Sequence, residues 1–314
     1  MLAELLSAKY LLLGLFVASA IYIHLRGRVR HRFGRQLTDH STIFAPYNVL
    51  MYAFSRVPTK RPYIDVAQFP DLEPLRENWR MIAEEAAKLL DEGHIRAAAS
   101  YNDLGFNSFF RTGWKRFYLK WYEAPLPSAE ALCPKTVALL KSLPSVHGAM
   151  FAALPPGGRL VKHRDPFAGS LRYHLGLVTP NDDRCYLMVD GERYSWRDGE
   201  PVMFDETFIH FAENQADTTR IVLFCDIERP LTSRVLTAVN QFVCRQFMTA
   251  SATQNVEGER VGVANKAFAF VYRIRLAAKA LKKRSRGGYY ALKYAALAIA
   301  AYLIFIRPLL QYWS

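Results

Sequence analysis

His163-Arg164-Asp165 sets an imidazole and a carboxylate two residues apart, and His210 supplies a second imidazole further along the chain. Two imidazoles and one carboxylate hold one face of a ferrous ion and leave positions open for a co-substrate and oxygen. Residues i and i+2 of a strand point to the same face. The spacing therefore predicts His163 and Asp165 entering a barrel interior from one strand and His210 from another, Phe208 to Phe211. A lone His-x-Asp is a weak signal, and three unrelated polar residues are the competing reading. Arg220 adds weight. It stands in Thr219-Arg220-Ile221-Val222-Leu223-Phe224, where a guanidinium among apolar neighbours is costly unless it meets an anion. Its planar fork suits a carboxylate; an internal salt bridge with a nearby Asp or Glu is the alternative. Arg172 and His174 lie two apart on Leu171 to Val178, so one face of that strand offers both to the same acid.

The elements that must position these residues are short. Strand-like runs near Ala149 to Leu154, Arg159 to His163, Leu171 to Val178, Cys185 to Val189, Pro201 to Phe204, Phe208 to Phe211 and Arg220 to Asp226 are separated by turn residues such as Pro155-Pro156-Gly157-Gly158 and Asp190-Gly191. Many short strands at regular spacing imply a sandwich or double-sheet jelly roll. Ahead of them, Leu75, Trp79, Ile82, Ala86 and Leu89 mark a helix from Glu73 to Leu90. Gly113 to Leu119 reads as a strand and Pro134 to Leu143 as a second helix. After Thr232 the pattern turns helical again, with Leu236, Val239, Val243 and Phe247 on one face. The fold class expected is α+β, mainly β with helices.

The net charge of +13 is concentrated in Arg26 to Arg35 and Lys266 to Arg286, each beside an apolar terminal stretch. Such clusters suit anionic headgroups at a membrane more than nucleic acid, for which no aromatic stacking platform accompanies them. Roughly 20 apolar residues span a bilayer. Tyr10 to Leu25, extended back to Leu5, reaches that length, and Tyr289 to Ile306 forms a second, alanine-rich candidate followed by Arg307, Pro308, Tyr312 and Trp313. A cleaved signal peptide competes at the first, where Ala18-Ser19-Ala20 resembles a cleavage site, and a buried terminal helix competes at the second. Basic residues on the inner side of both runs predict a middle that stays in the cytoplasm. Between them, Ala267, Phe270, Val271, Ile274, Ala277, Ala278 and Leu281 share a helical face opposite Arg275, Lys279, Lys282, Lys283 and Arg286, the pattern of a helix lying in a headgroup layer. The four cysteines have no metal-ligand spacing. The organisation expected is an anchor over 1–25, a basic connector over 26–62, a catalytic domain over 63–230, a helical membrane-surface segment over 231–288 and a second anchor over 289–314. Arg26 to Pro62 carries little clear periodicity.

His163-Arg164-Asp165-Pro166-Phe167-Ala168-Gly169-Ser170-Leu171-Arg172-Tyr173-His174-Leu175-Gly176-Leu177, then Phe204-Asp205-Glu206-Thr207-Phe208-Ile209-His210 and Arg220, resemble the signature of the aspartyl/asparaginyl β-hydroxylase family. The resemblance is strong over about Met150 to Pro230 and weaker back to Trp79. It implies a double-stranded β-helix fold and an oxygenase that couples oxidative decarboxylation of 2-oxoglutarate to hydroxylation, with Fe(II) and O2. It implies iron ligation by His163 and His210 and co-substrate binding by Arg172, His174 and Arg220. Asp165 stands where the family's protein hydroxylases have glycine, which suggests a complete triad. The family's serine on the strand before the first His has no counterpart in Phe151-Ala152-Ala153-Leu154. Within the family the chain is similar to the membrane-bound bacterial branch that 2-hydroxylates a fatty acyl chain of lipid A, which implies the inner membrane with the catalytic domain on its cytoplasmic face. An aminolipid acyl chain is the near alternative and a peptide side chain the next. A membrane-tethered scaffold is the non-enzymatic one. Tyr173, Lys162 and Arg164, bordering the site, are expected on the solvated surface, Asp205 as a turn cap and Asp226 as a structural residue.

Overall fold

A computed structural model describes residues 8–36, 39–97, 103, 106 and 108–306 of the 314. Two antiparallel sheets carry the fold. Ten strands are described: β1 Tyr63–Ile64, β2 Lys115–Trp121, β3 Val146–Leu154, β4 Arg159–His163, β5 Ser170–Val178, β6 Cys185–Val189, β7 Glu192–Ser195, β8 Pro201–Phe204, β9 His210–Asn214 and β10 Arg220–Glu228. The larger sheet runs β1-β8-β5-β10-β3-β2 and the smaller β4-β9-β6-β7. From β3 onward the chain keeps crossing between them, out to β4, back to β5, out to the β6–β7 hairpin, back to β8, out to β9 and back to β10. This is the double-sheet arrangement that the run of short strands predicted.

The central strands explain why the sequence reads as apolar runs and not as alternation. β5 and β10 are buried along nearly their whole length. One face looks toward the smaller sheet, and a helix, α3 below, packs on the other face of β5. A strand covered on both sides has no solvent face to mark with polar residues. At Asp190-Gly191 the β6–β7 turn needs left-handed backbone at both positions (φ 50° and 89°), which that pair tolerates well.

The helices used here are α1 Ala8–Leu25, α2 Ala45–Ala53, α3 Trp79–Asp91, α4 Pro134–Lys141, α5 Arg234–Val243, α6 Val263–Arg284 and α7 Arg286–Ala301. The expected helix from Glu73 is broken at Asn78 into a short turn and α3, which buries Ile82, Ala86 and Leu89. The segment expected to be a connector without periodicity contains α2 and buries Ala45, Asn48, Met51 and Tyr52; its short helices escape notice because their buried residues answer to α1 and α5, not to one another. Among the described residues, α1 is the one helix long and apolar enough to cross a membrane. The second span is therefore corrected. α7 has only 16 residues, opens on Arg286-Gly287-Gly288, carries Lys293, and passes into a π-helical stretch at Tyr302–Ile306. Arg307, Pro308, Tyr312 and Trp313 lie outside the described residues. α6 leaves Phe270, Val271 and Ile274 exposed, so its apolar face packs on no core. The four cysteines are free and buried.

Candidate active site

His163 closes β4 and His210 opens β9, and the two are direct partners across the antiparallel ladder. Their rings lie 4.2 Å apart, centroid to centroid. Each ring is aimed by its own backbone: His163 Nδ1 lies 2.7 Å from the Val161 carbonyl and His210 Nδ1 lies 2.9 Å from the Phe208 carbonyl. A carbonyl fixes the proton on Nδ1 and leaves the Nε2 lone pair for a ligand, the usual dress of a metal-binding imidazole. Asp165 lies past the end of β4, not within it, and its backbone N–H donates to the Glu206 carbonyl at 2.9 Å. The same-face argument for a strand thus fails. A loop contact between the 163–165 and 205–210 segments brings the carboxylate round instead, with Oδ1 3.6 Å from His163 Nε2. One ligand atom from each of His163, Asp165 and His210 falls within 4.8 Å of the others.

Electrostatics favour a cation there. Burial, then the neighbouring imidazole, pushes His210 down to about 3, and burial lowers His163 as well. Both rings are thus neutral and able to ligate. Burial alone would raise the Asp165 carboxyl, but Arg172, then His210 and His163, hold it below the usual carboxylate range.

Arg172 on β5 lies among acids. Its guanidinium is 2.7 Å from Asp165, 2.5 Å from Glu206 and 3.2 Å from Asp226, and it stacks 3.6 Å from the Phe224 ring centroid. Three carboxylates gather on its Nε and Nη2, so this edge orients Asp165, and the residue also lines the cavity described below. Burial pushes Glu206 up to about 8 in spite of Arg172, as expected when three buried acids share one cation.

Arg220 is the opposite case. It is buried on β10 beneath Trp196, 4.4 Å from that ring, and its polar contact is one long hydrogen bond to the Ala152 carbonyl at 3.4 Å. Its Nε has no partner, and neither ring nitrogen of buried His174 has one. Burial lowers Arg220 to about 10 and drives His174 well below its ordinary value. Both side chains line the same cavity as the triad and Arg172, with Phe106, Phe109, Trp114, Leu160 and Phe211 among its apolar walls. Buried polar groups are nearly always satisfied. An unpaired guanidinium and imidazole facing one cavity make a built receptor for an anion.

Arg164, expected on the surface, is buried and donates from Nη1 to the Ile23 carbonyl at 2.8 Å, in the last turn of α1. On the other side of the site Arg26, just past α1, is 2.7 Å from Asp205, donates to Thr207 at 2.5 Å, and lies between the rings of Tyr52 and Phe208. Asp205 also binds Arg229 at 2.9 Å, so it is the hub of a buried ion network as well as a turn residue accepting from Thr207 N–H. The end of α1 thus touches both segments that carry the ligands. Lys162 packs over the Phe211 ring.

Residues 76–230 match the family described as Aspartyl/Asparaginyl beta-hydroxylase, and every site residue from His163 to Arg220 falls inside that span. Over this stretch, just under half of the chain, the protein is similar to the aspartyl/asparaginyl β-hydroxylase family. Ornithine lipid ester-linked acyl 2-hydroxylase of Rhizobium tropici is 33% identical over 174 residues, 55% of this chain and 62% of its own length. Aspartate beta-hydroxylase domain-containing protein 2 of Homo sapiens is 31% identical over 206 residues, 63% of this chain and 54% of its own length. The chain therefore spans less than two thirds of either relative. A Pseudomonas putida prolyl-4-hydroxylase of known structure aligns over 49% of this chain and 88% of its own with 19% identity and a TM-score of 0.32, too low a score to bear on the site.

The β-hydroxylase family comprises iron(II) oxygenases that consume 2-oxoglutarate, and the residues present fit both groups. The triad offers N, N and O donors of the kind ferrous iron takes. The orphaned nitrogens of Arg220 and His174 suit a carboxylate. Glu206 and Trp196 are site residues that sequence reasoning missed. Glu206 stands inside the quoted motif, and an acid next to Asp205 in an apolar stretch was a signal that could have been weighed; nothing local marks Trp196.

Proposed function

We propose that this chain hydroxylates a fatty acyl chain of a membrane aminolipid, using iron(II), 2-oxoglutarate and oxygen at the cytoplasmic face of a bacterial inner membrane. The unpaired, buried Arg220 facing the His163, Asp165 and His210 cluster carries this reading, because that pairing needs both a metal and an acid to be satisfied. His163, Asp165 and His210 would hold the iron, and Arg220 with His174 the far carboxylate of 2-oxoglutarate. Bound iron supplies oxygen activation and C–H oxidation. The chain's own part is orientation and dryness: Arg172 fixes Asp165, the two backbone carbonyls fix the imidazoles, and aromatic walls exclude water.

The substrate class rests on the similarity to the Rhizobium tropici enzyme, whose name specifies an ester-linked acyl 2-hydroxylase of ornithine lipid, together with the apolar α1. That similarity favours an aminolipid over lipid A. Lipid A is kept as the second substrate because Arg28, Arg30, Arg32 and Arg35 stand exposed just beyond α1, where a phosphorylated headgroup would lie. Mass spectrometry of total polar lipids and lipid A from cells with and without the protein, with Arg220→Ala as control, tests both. One added oxygen on an aminolipid acyl chain, absent in the control, is the expected result. The same gain on lipid A alone reverses the order of substrates. No lipid change, with succinate formed in response to a peptide, overturns the reading.

A further inference from the structure

α5 is built inside out. Its buried side holds Asn240, fully buried, with Oδ1 accepting from Tyr47 and Nδ2 donating to the Gly169 carbonyl. Its outer side holds Val235, Val239 and Phe242, which are 72%, 42% and 61% exposed, followed by Phe247 at 58%. Steps of four and three put the first three on one face. A helix at a water-facing surface has the reverse pattern, and clustered exposed apolar side chains mark a contact surface.

The face does not stop at α5. α2 lies beside it and antiparallel to it: Phe44 meets Phe247 edge to face at one end, and Thr232 N–H donates to the Phe54 carbonyl at the other. α2 and its flanks add exposed Ile43, Leu50 and Phe54. α1 packs on α2, and Ile23, Met51, Tyr52 and Leu231, with Leu236 against them, form one small core joining the three helices. The layer is thus continuous with the one described helix apolar enough to cross a membrane, whose outer residues Leu11, Leu15 and Val17 are exposed too. Arg234 and Arg245 are exposed beside the apolar face.

We infer that α2 and α5 form a second membrane contact, a raft whose apolar outer face is sunk into the headgroup layer next to α1. Continuity with α1 and the flanking arginines select an anionic bilayer as its occupant. The raft is independent of which lipid the site modifies.

Site-directed spin labelling of the full chain in vesicles of phosphatidylethanolamine and phosphatidylglycerol tests it. The four native thiols are buried, so the label goes to an introduced cysteine. Labels at Val239→Cys, Phe242→Cys and, as an independent site on the neighbouring helix, Leu50→Cys are compared with Asp217→Cys, whose native side chain is 88% exposed between β9 and β10. Power saturation is expected to show the first three relaxed more by oxygen than by a water-soluble nickel chelate, and Asp217→Cys the reverse. Labels at 239, 242 and 50 that follow the Asp217→Cys pattern overturn the inference. So do labels shielded from both agents with spin–spin broadening, which would make the face a contact between two copies of the chain.

Discussion

Arg220 and Arg172 sit on adjacent strands of the same sheet, and the difference between them is what each faces. Arg220 lines the cavity beside the triad, so on the proposed reading its removal deletes the co-substrate's receptor and leaves no buried charge behind. Arg220→Ala is expected to raise the KM for 2-oxoglutarate roughly 10- to 100-fold, the value of a charge-assisted hydrogen bond, with little change in stability; Arg220→Lys recovers part of it, keeping the charge but losing the fork. Steady-state kinetics against 2-oxoglutarate, beside a melting curve, separate the two effects. Arg172 faces three carboxylates, so Arg172→Met leaves buried acids without their cation. It is expected to cost about 3–5 kcal/mol in denaturant unfolding. Only one of these roles was legible in the chain. An arginine among Ile221, Val222 and Leu223 announces itself, whereas Arg172 looked equally free because Glu206 and Asp226 reach it from different strands and connections, a contact that no local pattern encodes.

At the scale of elements, the segment between β8 and β9 carries the heaviest duties: Asp205 gathers Arg26 and Arg229, Glu206 takes Arg172, and Phe208 aims His210. Burial would raise Asp205, but Arg229, then Arg26, hold it far below the usual carboxylate range. An acid depressed on folding contributes stability above its unfolded value, near 4, and that contribution drains away as pH falls further. Urea midpoints taken between pH 7 and pH 3 should therefore drop more steeply for the native chain than for Asp205→Asn, which starts lower. A second test sits on β5. A Cβ at Gly176 would meet the Arg197 carbonyl oxygen at 2.0 Å, and backbone cannot step aside cheaply, so Gly176→Ala should cost about 1–3 kcal/mol. Most strands were legible from apolar runs between turn residues. The β7 hairpin arm, half-exposed and only four residues long, was not. The His163–Asp165 strand geometry was misread because β4 ends at His163, two residues short of Asp165.

The whole molecule joins an oxygenase-type core to a helical layer, and the two respond to different perturbations. Stripping metal with a chelator and titrating Mn2+ back should raise the melting temperature of the native chain, by the equivalent of roughly 2.7 kcal/mol at a hundredfold excess over Kd; His163→Ala should show almost no shift. The helical layer was the least legible part. Leu236, Val239, Val243 and Phe247 read only as sharing one face, because periodicity reports which residues lie together and says nothing of what covers them. The four thiols make that division measurable. Cys225 lies mid-sheet in β10, Cys185 heads β6, Cys133 precedes α4, and Cys244 closes α5 beneath the raft. A thiol reagent reaches each only when its own region opens. For protein held in detergent, pulsed alkylation is expected to modify Cys244 first and Cys225 last, so the order of modification times the loosening of one region against another.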